Sequence, residues 1–160
     1  MNDADSRHIL VAVDGSTNSR RAVEHVAEIL SGAACESGAQ NFRITLLHVI
    51  VMPDPDYFAN DPAKRGEWLA AQRSEANGYL DEYDGVLRGA LGPDARVGRE
   101  IRELSCPSVA ECILDQGQRL GAGVLVLGRQ GRGAREELLL GSVSKRVVHN
   151  SRGRAVWVVT

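Results

Sequence analysis

Short apolar runs alternate with helical stripes along the whole chain, and this alternation constrains the fold more than any other feature. His8-Ile-Leu-Val-Ala-Val13 is short, rich in β-branched residues and followed at once by Asp14-Gly-Ser16, which predicts a buried strand and a tight turn. Ser16 is placed to cap a helix in which Ala22, Val23, Val26, Ala27, Leu30 and Ala34 recur at three- and four-residue steps, with Gly32 and Gly38 bracketing its end. Arg43 to Val49 predicts a second strand. A loop holding Pro53, Pro55 and Pro62 follows, and its Tyr57 and Phe58 read as a satellite packing cluster.

Next comes a long amphipathic helix over roughly 63–91, with Trp68, Leu69, Gln72, Ala76, Tyr79, Leu80, Tyr83, Leu87 and Leu91 at helical spacing and Gly92-Pro93 as its stop. Ala95 to Leu104 alternates Val97, Arg99, Ile101 and Glu103 with charged or small residues, which predicts an edge strand. Pro107 suits the first turn of a third helix, in which Val109, Ile113, Leu114 and Leu120 face inward. Gly123 to Leu127 is a fully apolar fourth strand. A last helix over about 141–151 leads to a final strand, Ala155-Val-Trp-Val-Val159.

Strands alternating with helices imply an α/β fold: a parallel sheet covered by helices on both faces, doubly wound, in a single domain. Residues 1–6 are short and polar and are expected to form a disordered N-terminus, with one folded domain over 7–160. A chain of 160 residues can bury a real core. The net charge of −2 gives no field to attract nucleic acid or an anionic membrane, and no window approaches the ~20 apolar residues of a membrane span. With no secretory signal either, cytoplasmic residence is the default expectation. Cys35, Cys106 and Cys112 lack metal-ligand spacing, and His8, His25, His48 and His149 are scattered, so no metal site is expected from protein ligands alone. Cys112 reads as a buried thiol and His48 as a hydrogen-bonded core histidine.

Most strand-to-helix connections are about 2–6 residues long. Asp14-Gly15-Ser16 obeys this, whereas Gly128 to Gly141 runs fourteen residues at the carboxyl end of a central strand, where doubly wound sheets bind ligands. Its glycines, Gly128, Gly131 and Gly133, let backbone approach an anion closely. Gly141-Ser142-Val143 opens a helix whose N-terminus carries unpaired N–H donors and partial positive charge. Arg129, Arg132 and Arg135 raise the local potential, although each alone reads as a solvated loop residue. Ser142 and Ser144 offer hydroxyls to phosphate or to a metal ion. No Lys precedes Ser142, which excludes the P-loop, and only Gly15 follows the first strand, which excludes the dinucleotide fingerprint.

Gly128-x2-Gly131-x9-Gly141-Ser142 resembles the nucleotide-binding pattern of the universal stress protein family, and the likeness extends from about Arg7 to Val159. Ile9-Leu-Val-Ala-Val-Asp-Gly-Ser16, Leu46-Leu-His-Val49, Val124-Leu-Val-Leu-Gly128 and Leu138-Leu-Leu-Gly-Ser-Val-Ser144 match its blocks in order. The resemblance implies five parallel strands in the order 3-2-1-4-5 and an adenine nucleotide, ATP or else ADP or AMP, accompanied by Mg2+. It places Asp14 by the ribose or the metal, and Ala12 and Val49 at the adenine. It further implies that Leu127, Gly128, Arg129, Gln130, Gly131, Arg132 and Gly133 wrap ribose and phosphates, and that Gly141, Ser142 and Val143 hold phosphate. From the residues alone, Asp14 could equally serve only the N–H groups of the first helix.

Three positions depart from the family pattern: Arg129 replaces a small hydroxyl residue, Cys106 an acidic one and Ala155 a proline. No residue set resembles an efficient hydrolase, so the expectation is a non-enzymatic stress or regulatory protein with at most slow ATP hydrolysis. It would act as a dimeric switch on an unknown protein partner. The homodimer is expected through the last strand, at Val156, Trp157 and Val158, which lacks the Lys, Pro or bulge that blunts an edge. Two alternatives are a nucleotide-free dimeric interaction module and an adenylating enzyme; Asp14-Gly-Ser-Thr-Asn-Ser19 matches no ligase signature.

Overall fold

The computed structural model describes residues 7–33, 42–58, 61–104, 106–131 and 140–160. The N-terminus 1–6, Ala34, Cys35, Gly38 and the loop residues Arg132, Gly133, Arg135, Glu136 and Glu137 lie outside that set. Nine principal elements follow in order: β1 (His8–Ala12), α1 (Thr17–Ala33), β2 (Arg43–Ile50), α2 (Pro62–Leu91), β3 (Arg96–Glu103), α3 (Val109–Arg119), β4 (Val124–Gly128), α4 (Ser142–Asn150) and β5 (Ala155–Val159). A single 3-10 turn, Pro55–Phe58, lies between β2 and α2.

All four strand pairings are parallel, and the order is β3-β2-β1-β4-β5. Parallel strands bury both faces, so the central ones read as continuous apolar runs. Alternate residues then divide between two cores. Ile9, Val11, Ile44, Leu46 and Val126 meet the α1 stripe of Ala22, Val23, Val26, Ala27 and Leu30 and the α2 residues Leu80, Tyr83 and Leu87. Leu10, Leu47, Leu125 and Leu127 meet Ala110, Cys112 and Ile113 of α3 and Val147 of α4. Cys112 is buried, as its helical position predicts.

The helix starts show how local chemistry sets element boundaries. Ser16 Oγ accepts from Ser19 N at 3.2 Å at the head of α1. Asp61 caps α2, accepting from Ala63 N and Lys64 N, with Pro62 in the first turn. Ser108 caps α3, accepting from Glu111 N at 3.3 Å. Pro107 therefore precedes the cap and is not part of the first helical turn, contrary to the sequence expectation: the Ser hydroxyl captures a free N–H, which Pro cannot provide. Phe58 is buried with its ring edge to Trp68, centroids 5.8 Å apart, while Tyr57 is exposed, so this pair does form a side cluster.

The strand β3 occupies one sheet edge and is charged as expected. Arg99 reaches across to Asp81 and Asp84 of α2, and Arg88 bonds Asp84 at 2.9 Å. These carboxylates hold the Arg99 guanidinium above its ordinary pKa against the opposing effect of desolvation. The sequence periodicity gave no sign that Asp84 is buried between two arginines.

Candidate functional site

A parallel sheet whose chain direction switches between two neighbouring strands leaves a crevice at their carboxyl ends. Here the switch lies between β1 and β4, with Ala12 opposite Leu127. A cleft of about 260 Å³ opens there among the described residues. From β1 and its turn it takes Ala12, Val13 and Asp14; from β2, Leu47, His48 and Val49; from β4 and the loop beyond, Leu127, Gly128, Gln130 and Gly131; from the head of α4, Gly141, Ser142, Val143 and Ser144. Ser19 of α1 and Val109 and Ile113 of α3 complete the wall.

Ten sequence-predicted site residues thus meet around one cleft: Ala12, Asp14, Val49, Leu127, Gly128, Gln130, Gly131, Gly141, Ser142 and Val143. Arg129 does not join them. Its backbone is held on both sides, with its N–H donating to Val159 O at 2.7 Å and its carbonyl accepting from Gly141 N at 2.9 Å, and the residue lies off the cleft lining. Arg132 and Gly133 fall outside the described residues.

The motif glycines are needed for space; none of the three described has a positive φ. A Cβ on Gly128 would lie 2.7 Å from the backbone carbon of Asn18, so this glycine lets α1 sit against the end of β4. That is a fold requirement, in addition to the place of Gly128 in the cleft lining. A Cβ on Gly131 would lie 2.6 Å from Asp14 Oδ2, so the loop crosses directly over the acid of the first turn. Gly141 is close to Arg129 O and Gln130 Cα, both 3.3 Å from its virtual Cβ. The loop is pinned at its root, because Asn18 Nδ2 donates to Gln130 O at 3.0 Å and Gln130 is buried.

Asp14 Oδ1 accepts from Ser16 N at 3.0 Å, which orients the carboxylate at the cleft floor. Both sequence readings of Asp14 therefore apply to its position: it organises the turn and it lines the cleft. Helix α4 differs from α1, α2 and α3 in its start. Its N-cap is Gly141, and among the described residues no side chain caps its free N–H groups. Those donors and the positive end of the helix dipole meet the cleft. The hydroxyl of Ser144, expected to face a ligand, donates instead to Gly128 O at 2.8 Å and is buried. Ser142 remains exposed at the cleft rim.

Periodicity missed four lining residues of distinct character. His48 has a ring nitrogen, Nδ1, 3.0 Å from Val13 O and lies edge-on to Tyr79, satisfying the core reading while also facing the cleft. Ser19 Oγ donates to Ser16 O and lies 3.3 Å from Tyr83 Oη. Burial holds the Tyr83 phenol above the ordinary tyrosine pKa. Val109 and Ile113 carry an inward helical signal that does not distinguish core from cleft.

These features define a doubly wound α/β protein with a cleft at its topological switch point that meets the N-terminus of α4. The chain belongs to the universal stress protein family, whose family-wide sequence pattern matches residues 6–159. It is 32% identical over 157 residues to a universal stress protein of Mycolicibacterium smegmatis, covering 94% of this chain and 47% of the relative, so it spans about half of that relative's length. The solved structure of universal stress protein UspA from Lactobacillus plantarum is similar with a TM-score of 0.76 at 21% identity, over 97% of this chain and 98% of the other. A universal stress protein from Archaeoglobus fulgidus, solved in complex with dAMP, has a TM-score of 0.63 at 16% identity, over 95% and 96% of the two chains. Among the described residues no helix is long and apolar enough to cross a membrane.

Proposed function

We propose that the cleft binds an adenine nucleotide and that the protein acts as a nucleotide-dependent regulatory protein in stress. The observation that carries this reading is the α4 terminus, which among the described residues is the one α-helix start that opens on the cleft without a side-chain cap. In this reading the adenosine part lies among Ala12, Val49 and Leu127, and the phosphates reach Gly131, Gly141, Ser142 and Val143. The cleft volume of about 260 Å³ is near the lower end of the ~300–1,000 Å³ typical of small-molecule sites, which suits a nucleoside with its phosphates directed along the loop. The nucleotide bound by the dAMP relative agrees in class.

The residues fit Mg2+ only in company with phosphate. Among the described residues, Asp14 is the only carboxylate in the lining and no cluster of three acidic, His or Cys side chains occurs. One carboxylate plus phosphate oxygens is a common way of holding this ion. Asp14 would supply the protein ligand, and the ion would neutralise phosphate charge.

The test is calorimetry of the purified protein with ATP, together with mass spectrometry of any nucleotide released on denaturation. We expect a Kd below ~1 mM, about −4 kcal/mol, and turnover below roughly 1 s⁻¹. Absence of binding at that concentration overturns the reading, and faster turnover overturns the non-enzymatic part.

The switch is proposed to be a homodimer through β5. Ala155 N donates to Gly123 O and Val159 O accepts from Arg129 N, so the odd-numbered residues turn their backbone groups toward β4. Val156 and Val158 then turn theirs outward at the sheet edge, because these groups alternate along a strand. Val158→Pro removes one outward donor while sparing the β4 ladder. Light scattering should give about twice 17.3 kDa for the wild type and close to one monomer for the variant. A wild-type mass of one monomer refutes the dimer, and a folded variant that stays dimeric places the interface elsewhere.

A further inference from the structure

Beside the cleft lies a second, larger depression that the nucleotide reading does not use. It is a groove of about 590 Å³ between the head of α3 and one face of α4. Val109, Ala110 and Val143 give it apolar lining, and Lys145, Arg146 and His149 project along its α4 side. No Asp or Glu is among its lining residues. Lys145 and Arg146 are exposed and take part in no ion pair among the described residues.

This charge is out of keeping with the rest of the chain. From Leu138 to the C-terminus the sequence has four Lys and Arg and no Asp or Glu, although the whole chain carries a net charge of −2. Six arginines elsewhere, Arg20, Arg73, Arg88, Arg99, Arg102 and Arg119, each pair with a carboxylate. Lys145 and Arg146 are unmatched among the described residues, beside apolar surface that has room for more than a single ion. A partner that complements it offers carboxylates and apolar side chains together. There is no aromatic ring in the lining apart from the His149 imidazole, so a second nucleoside base would find little to stack on.

We propose that this groove docks an acidic peptide segment of a partner protein, with carboxylates on Lys145 and Arg146 and an apolar side chain on Val109 and Val143. Val109, Ser142 and Val143 line both the groove and the cleft, so the docked segment lies against the same helix terminus that opens on the cleft.

The test is fluorescence anisotropy at about 0.15 M ionic strength, where surface charge is screened beyond ~8 Å. The probe is a short fluorescein-labelled peptide rich in Glu with spaced Leu, and a Lys/Leu peptide is its counterpart. The Glu/Leu peptide should bind and the Lys/Leu peptide should not. Lys145→Glu with Arg146→Glu should weaken binding about tenfold or more. Arg152→Glu with Arg154→Glu changes the charge equally off the groove and should leave affinity within about threefold. Circular dichroism confirms that both double variants are folded. Absence of peptide binding at ~1 mM overturns the proposal, as does an equal loss in both double variants, which would mean a general field. Displacement of the peptide by low-millimolar inorganic phosphate overturns it in favour of a small-anion site. The comparison of peptides and of double variants does not depend on whether the cleft binds ATP.

Discussion

Gly128 and Gly131 stand three residues apart in one loop, and the structure gives them different work. Gly128 lies beneath the backbone of α1, where a Cβ would strike Asn18 main-chain atoms at 2.7 and 2.8 Å. Gly131 is exposed, and its virtual Cβ points at the end of the Asp14 side chain. The first conflict is with backbone that cannot move without shifting a helix; the second is with a carboxylate that can. A glycine-rich motif is therefore a composite, with its inner member serving the fold and its next member leaving room over the site.

Three substitutions test that division. Gly128→Val should have the largest effect, destabilising the protein by about 3 kcal/mol as α1 is displaced. That corresponds to a loss of roughly 6–12 °C in Tm for a chain of this size. A variant with unchanged Tm would show that α1 and β4 have more slack than their contact implies. Gly131→Val should keep the wild-type Tm while weakening ATP binding tenfold or more, about 1.4 kcal/mol, because Asp14 and the loop must separate. Loss of stability without loss of affinity would reverse the assignment of roles. Ser144→Ala should have the smallest effect. It removes the hydrogen bond to Gly128 O and should cost about 1 kcal/mol, or some 2–4 °C in Tm. If ATP affinity falls instead while Tm holds, the hydroxyl serves the ligand after all.

The strands were legible because parallel pairing buries both faces, so Ile9 to Val11 and Leu125 to Leu127 appear as unbroken apolar runs. The charged alternation of β3 likewise marked an edge. The cleft was legible at coarse grain, from the length of the connection after β4 and its glycines. Finer contacts were not legible where the partner comes from another element and is invisible in one dimension. Ser144 turns its hydroxyl back to Gly128 O, and Arg129 is clamped by Val159 and Gly141; each partner comes from a different element. His48 shows the same limit, since nothing in the strand pattern says that a satisfied histidine also faces a cavity. Pro107 was misplaced because a helix start is fixed by its cap, and Ser108 was the better candidate.

The pinned root of the ligand loop has a consequence for how its two stems stay together. Gly141 N bonds Arg129 O, and Ser144 Oγ bonds Gly128 O, so the two stems of the loop are joined below it. For any chain joined at its base in this way, the closure entropy depends only weakly on length. Doubling the number of residues in a flexible ring costs about 0.6 kcal/mol. The two bonds at the stems thus hold the end of β4 and the head of α4 together whatever the number of residues between them.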